Sequence, residues 1–205
     1  MKKFGGTGGF TLIEIVIVLA IIAVLAGILA PTLTRYVGDA RTRKAEADTR
    51  NIAAAIGKFH SDTGLWPVWV SGTDTTADAA KKDILLSKTV ELPDVGTTGW
   101  ALNTSVIVDG ILQQLIENKP SSQSANAYPT TGKRAWRGPY LERDEEDPWG
   151  HPYMVNVKFL QPANIEGTKP VFVLSAGPNK LVETNFEQTG PSLAVGGDDI
   201  IFRVK

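Results

Sequence analysis

Residues 9–31 read GFTLIEIVIVLAIIAVLAGILAP. From Phe10 to Ala30 that is a run of 21 residues in which only Thr11 and Glu14 are polar. As an α-helix the run is roughly 31 Å long, about the hydrocarbon thickness of a bilayer. The 16 residues from Ile15 to Ala30 are nonpolar without a break. That exceeds what the buried helix of a small soluble domain needs, so the stretch reads as a membrane span. A secretory signal would place a small-residue cut site behind the apolar run. Here Pro31 follows instead, and the chain beyond it stays helix-like. Glu14 is the misfit: a carboxylate at the edge of a span is penalised by lipid unless a partner neutralises it.

Gly9-Phe10-Thr11-Leu12-Ile13-Glu14, set directly before a bilayer-length run, resembles the processing signature of type IV prepilins and their relatives. The resemblance implies that residues 1–9 are a leader and that a prepilin peptidase cuts between Gly9 and Phe10 on the cytoplasmic face. It also implies that the new amino terminus of Phe10 is methylated. Glu14 would then pair with the amine of Phe10, within one chain or on a neighbouring subunit. A slipped subunit would leave two buried charges alone, so such a pair would set register. A carboxylate resting idly among lipid headgroups is the alternative. Arg35, Arg41, Arg43 and Lys44 follow the span, against Lys2 and Lys3 before it. Positive-inside counting would hold the long domain in the cytoplasm; the resemblance implies the reverse, because cleavage needs the leader inside.

Beyond Pro31 the helical pattern continues over residues 32–60. Leu33, Val37 and Ala40, then Ile52, Ala55, Ile56 and Phe59, recur at three- and four-residue spacing. Pro31 predicts a kink and Gly38 a second soft point. The helix should end near Ser61–Gly64, before Trp66-Pro67. FHSDTGLWP resembles the end of the long helix in pseudopilins. Residues 71–130 are rich in Thr, Ser, Gly and Asp and read as a surface excursion. Its one helical island is Val106, Ile107, Gly110, Ile111, Gln114 and Leu115.

Trp136-Arg137-Gly138-Pro139-Tyr140-Leu141, followed by Asp147-Pro148-Trp149-Gly150-His151-Pro152-Tyr153, resembles the C-terminal core of the major pseudopilins of type II secretion. Asp-Pro-Trp-Gly predicts a type I turn. Strands are predicted at 153–159, 170–175 and 199–204, rich in Val, Phe and Ile. The fold class expected is α+β and pilin-like. A long N-terminal helix, half membrane-embedded and half amphipathic, packs on a small C-terminal antiparallel sheet.

SAGPNKLVETNFEQTGPSLAVGGDDIIF, which begins at Ser175, opens and closes like the calcium loop of the same family. The resemblance assigns calcium to the side chains of Asn179, Asp198 and Asp199 and the carbonyls of Ala176 and Leu181. Calcium takes six to eight such oxygens. Asn179 stands where the family usually has an aspartate, and the stretch to Asp198 is longer than usual. A metal-free turn closed by Asx hydrogen bonds is the other reading.

A net charge of −1 and the lack of dense basic runs around Trp66, Trp100 and Trp136 argue against nucleic-acid binding. The chain has no cysteine, which excludes disulfides and thiolate metal sites. His60 and His151 alone make a poor zinc site. No phosphate loop, nucleophile elbow or metalloprotease helix is present. The acid run Glu142–Asp147, broken by Arg143, reads as surface, so no enzyme activity is expected.

The organisation expected is a leader over 1–9, a transmembrane and filament-core helix over 10–30, and a periplasmic domain over 31–205 with its insert at about 71–130. The resemblance implies a single-pass inner-membrane protein that joins a periplasmic pseudopilus for protein export. Its partners would be copies of itself, minor pseudopilins, the prepilin peptidase, an inner-membrane assembly platform and membrane lipid. A type IV pilin or minor pilin for adhesion or motility shares the N-terminus and is the alternative. A membrane-anchored enzyme or sugar-binding module built on the insert is a third class.

Overall fold

The computed structural model describes residues 9–76, 80–88, 91–102, 108–165, 167–190 and 192–205. The chain divides into two compact units, Met1–Ala40 and Arg41–Lys205. One helix, α1 (Leu12–Thr63), contributes to both; neither Pro31 nor Gly38 ends it.

In the first unit α1 opens on a capping box. The Thr11 amide and hydroxyl both donate to Glu14 Oε2, at 2.8 and 2.7 Å, and the Glu14 amide donates to Thr11 Oγ1 at 3.3 Å. The Thr-x-x-Glu spacing satisfies two otherwise orphaned helix-end donors reciprocally. The apolar side chains that follow are exposed, Leu12 at 82% and Leu29 at 61%. This stretch has the length and hydropathy of a membrane span.

In the second unit α1 turns one face inward. Ala45, Thr49, Ile52, Ile56, Phe59 and Thr63 are buried, at the alternating three- and four-residue spacing of a helix stripe. The two buried hydroxyls bond back to the helix, Thr49 to the Glu46 carbonyl and Thr63 to the Phe59 carbonyl. Phe59 meets Tyr128 and Tyr140 edge-on, with ring centres 4.9 and 5.6 Å away. The helix stops where the sequence places the stop. Gly64 takes φ 71° and its amide caps the His60 carbonyl at 2.8 Å, the left-handed closure glycine favours.

Five strands form one sheet in the order β2-β1-β3-β4-β5. They are β1 (Ile84–Leu86), β2 (Val108–Gly110), β3 (Met154–Val155), β4 (Phe172–Ser175) and β5 (Ile200–Arg203). The expected α+β class, long helix plus small sheet, holds. The sheet is mixed rather than antiparallel: β1 runs parallel to β2, and the other pairs are antiparallel. Leu85, Val155, Val173 and Phe202 lie in one lateral row. The sheet and the inner face of α1 share a single apolar core.

Two readings are corrected. The strand predicted at 153–159 lasts only two residues, because the buried Asn156 side chain diverts it. Its oxygen accepts from the Phe172 amide, and its nitrogen donates to the Pro170 and Phe186 carbonyls. A 3-10 turn, Val157–Leu160, follows. Residues 71–130 are not a surface excursion either. They supply β1, buried between β2 and β3, along with the buried rings of Trp100 and Tyr128. The predicted helical island becomes β2 and a π-helical stretch, Leu112–Ile116; Val106 and Ile107 lie outside the described residues. A buried polar chain holds this region. Gln114 Nε2 donates to the Trp69 carbonyl and to Asp109 Oδ2, while Tyr128 Oη donates to Gln114 Oε1. Burial, with the Asp109 charge behind it, pushes the Tyr128 hydroxyl well above its ordinary value.

Candidate functional site

Gly9 and Phe10 precede α1 in non-helical conformation, and both are exposed, Phe10 at 84%. A Cβ built on Gly9 would meet nothing within 4 Å. Among the described residues the peptide bond between them is exposed, directly ahead of a helix whose first turn is fixed by Thr11 and Glu14. The carboxylate of Glu14 reaches back to the Thr11 amide, one residue from the amine that cleavage at Phe10 would free. Thr11, which the Thr-x-x-Glu pattern marks as a helix cap, holds that carboxylate in place.

The C-terminal loop is built from the turn upward. Asp147 Oδ1 accepts from the Trp149 and His151 amides at 3.0 and 2.9 Å, and Gly150 closes the turn at φ 90°. Asp147 Oδ2 accepts from the Ser175 hydroxyl at 2.6 Å, tying the turn to the end of β4. The Gly177 amide in turn donates to Ser175 Oγ. At Gly177, φ is 68° and an added Cβ would lie 2.4 Å from the Asp198 carbonyl oxygen. The two ends of the loop meet there with no room for a side chain.

The structure joins Asn179 to Asp198, whose Oδ2 accepts the Asn179 amide at 3.1 Å. Asp199 Oδ2 accepts the Glu183 and Thr184 amides at 2.9 and 2.6 Å. Leu181 approaches Asn179 through its amide, 2.8 Å from Oδ1. Ala176 is buried just beyond β4. Glu183, which sequence reasoning does not reach, belongs to the group: its Oε2 accepts from Asn179 Nδ2 at 2.8 Å. Its one sequence signal is an acid inside the loop.

Asp199 is 7% exposed, and its Oδ1 is buried without a hydrogen-bond partner. Burial raises its pKa; the Glu183 and Thr184 amides pull the other way, and the Glu183 charge adds to the rise. The orphaned Oδ1 is an oxygen of the kind a hard cation takes, and the Glu183 charge acts on the same carboxylate. Among the described residues no three acidic or histidine side chains converge as a ready-made metal centre. A cation here would therefore lean on Asn179 and main-chain oxygens as well. The long loop is also braced from the insert. The Val182 amide donates to the Asp94 carbonyl, the Phe186 amide to the Thr98 carbonyl, and Trp100 Nε1 to the Thr184 carbonyl.

The two histidines stay apart in role. His60 stacks on Trp66 at 3.8 Å, and His151 is buried in the Asp147 turn.

Two family models match parts of the chain. The family model for the prokaryotic N-terminal methylation motif matches residues 6–30, and that for protein G of the type II secretion system matches residues 112–188. The type II secretion system core protein G of Vibrio cholerae is 25% identical over 86% of this chain and 85% of its own length. The fimbrial protein EcpC of Eikenella corrodens is 46% identical over 59 residues, 29% of this chain and 39% of that protein. The type IV major pilin protein PilE of Neisseria gonorrhoeae is 30% identical over 40% of this chain and 47% of its own. The chain thus spans less than half the length of the fimbrial and pilin proteins it matches. No solved structure matches at a comparable level.

Proposed function

Since the chain belongs to the pilin-like family, near protein G of the type II secretion system, we propose that it is the structural subunit of a type II secretion pseudopilus. One observation carries this reading above the pilin alternative. Similarity to protein G runs along 86% of the chain, whereas the fimbrial and pilin matches cover 29% to 42% of it. In this reading the chain is anchored in the inner membrane by residues 10–30, with residues 31–205 in the periplasm. A prepilin peptidase cuts the exposed Gly9–Phe10 bond and methylates Phe10. The assembly platform then draws the subunit out of the membrane into a filament of its own copies and minor pseudopilins. The exposed apolar face of α1 leaves lipid only by packing on the same face of its neighbours, which supplies cohesion.

Mass spectrometry of the chain recovered from membranes tests the processing step. The expected N-terminal peptide begins at Phe10 and is one methyl group heavier than its sequence. An intact Met1, or a cut anywhere else, overturns the reading. A type IV pilin would give the same peptide, and filaments displayed on the cell surface with unimpaired protein export would favour it.

Calcium is the proposed ligand of the C-terminal loop, held by Asn179, Asp198 and Asp199 with the carbonyls of Ala176 and Leu181, and with Glu183 beside them. When bound it would supply positive charge to the orphaned Asp199 Oδ1. Saturating calcium is expected to raise the melting temperature of the full chain in detergent by roughly 5 °C, and Asp198→Ala to remove the shift. An unshifted melting curve of the wild-type chain ends the metal assignment.

A further inference from the structure

The side chains assigned to calcium in the C-terminal loop are one amide, Asn179, and two carboxylates, Asp198 and Asp199. An amide oxygen brings no charge, and calcium affinity is tuned by the number of charged ligands and the rigidity of the site. Glu183 adds a third carboxylate. Its Oε2 accepts from Asn179 Nδ2 at 2.8 Å, while Asp198 Oδ2 accepts the Asn179 main-chain amide at 3.1 Å. One asparagine thus holds two carboxylates by its two nitrogens. The Asp199 carboxylate rests on the main chain of Glu183 and Thr184, whose amides donate to its Oδ2. Asp199 is 7% exposed, and its Oδ1 has no hydrogen-bond partner. Among the described residues none of Glu183, Asp198 and Asp199 has an ion-pair partner.

The main chain of Glu183 is fixed from both sides. The Val182 amide donates to the Asp94 carbonyl at 2.8 Å, and Trp100 Nε1 donates to the Thr184 carbonyl at 3.0 Å. The Gly196 amide donates to Thr184 Oγ1 at 3.0 Å. The side chain is exposed, and it has room because Gly196 and Gly197 face it. A Cβ added to Gly197 would collide with the Glu183 carboxylate, and one added to Gly196 with the Glu183 main chain. The residue is therefore anchored at its backbone by the 71–130 segment, with a carboxylate free to turn about its own side-chain bonds.

We propose that Glu183 is a calcium ligand and supplies the negative charge that Asn179 does not. The inference rests on the calcium reading of the loop and names the residue that completes it. Glu183 turns from Asn179 Nδ2 toward the cation and joins Asp198 and Asp199, bringing the charged ligands to three. Only its side chain has to move, because Asp94 and Trp100 already hold the backbone on either side. Bound calcium then ties the loop to that segment as well as closing its two ends.

Calorimetric titration of the full-length chain in detergent with calcium tests the assignment. Glu183→Gln keeps the length of the side chain and an acceptor for Asn179, and it should bind calcium at least about tenfold more weakly than wild type. Adding Asn179→Asp to Glu183→Gln should recover most of that loss, because the missing charge returns at a neighbouring ligand. A role confined to holding Asn179 would not be rescued in this way. Because Glu183 is exposed, the variant should melt within about 2 °C of wild type in a chelator, which separates binding from folding. Unchanged calcium affinity in Glu183→Gln, or no recovery in the double variant, overturns Glu183 as the compensating ligand and leaves the calcium reading standing. A wild-type chain that takes up no calcium overturns both.

Discussion

Chains carrying Glu14→Ala are expected to be cut between Gly9 and Phe10 as usual and then to fail at assembly, with filament yield down about tenfold or more. Cleavage should survive because the scissile bond is exposed and lies outside the helix. Assembly should fail because the carboxylate is the charge available to a new amine at Phe10, in a segment whose other side chains from Leu12 to Ala30 are nonpolar. The capping box adds a second role, since Glu14 also holds the Thr11 amide and hydroxyl. Glu14→Gln separates the two. Glutamine serves in a capping box, so it keeps the helix start and loses only the charge. If charge pairing governs assembly, Glu14→Gln is as defective as Glu14→Ala. Filament yield measured by sedimentation decides it, and a normal yield from Glu14→Gln would assign the residue to capping alone.

Leu85→Ala is expected to cost about 3 kcal/mol and to lower the melting temperature of the chain in detergent by about 10 °C. Leu85 is fully buried, paired with Asp109 of β2 on one side and Val155 of β3 on the other. Truncating it removes contacts on two strands and leaves a void that neither neighbour can fill without moving. A surface loop would answer the same substitution with a change near 0.5 kcal/mol or less. A melting temperature within about 2 °C of wild type would mean that the 71–130 segment is not integral to the core. The effect should appear in stability and leave cleavage at Gly9 untouched, because β1 and the scissile bond belong to different units.

The lengthened loop and the insert make sense together. The stretch from Asn179 to Asp198 runs for 20 residues, and an unsupported loop of that length would be costly to order. Asp94, Thr98 and Trp100, all from the insert, bind its middle through main-chain and indole hydrogen bonds. Asp199 gathers the same segment from the other side through the Glu183 and Thr184 amides. The loop therefore has protein partners along its length that need no cation.

Signals that repeat along the chain were legible before folding. The 16 unbroken nonpolar residues declare a span, and the three- and four-residue recurrence through Phe59 declares the helix that continues it. Gly64 and the Asp147–Gly150 turn are read from one or two residues, because glycine alone takes a left-handed closure cheaply and aspartate accepts its own backbone amides. By the same local logic Thr11 could have been read beside Glu14. The tertiary structure alone decided the rest. A three-residue strand such as Ile84–Leu86 is too short to show a period, and its place at the centre of the sheet depends on partners 24 and 70 residues away. Asn156 ends β3 early because the carbonyls and amide that hold its side chain come from 14 to 30 residues downstream. The meeting of Glu183 with Asn179 likewise exists only once the chain has closed. Local propensity acts over a turn of helix. Pairing across a sheet is settled by burial summed over the whole core, which no short window of sequence contains.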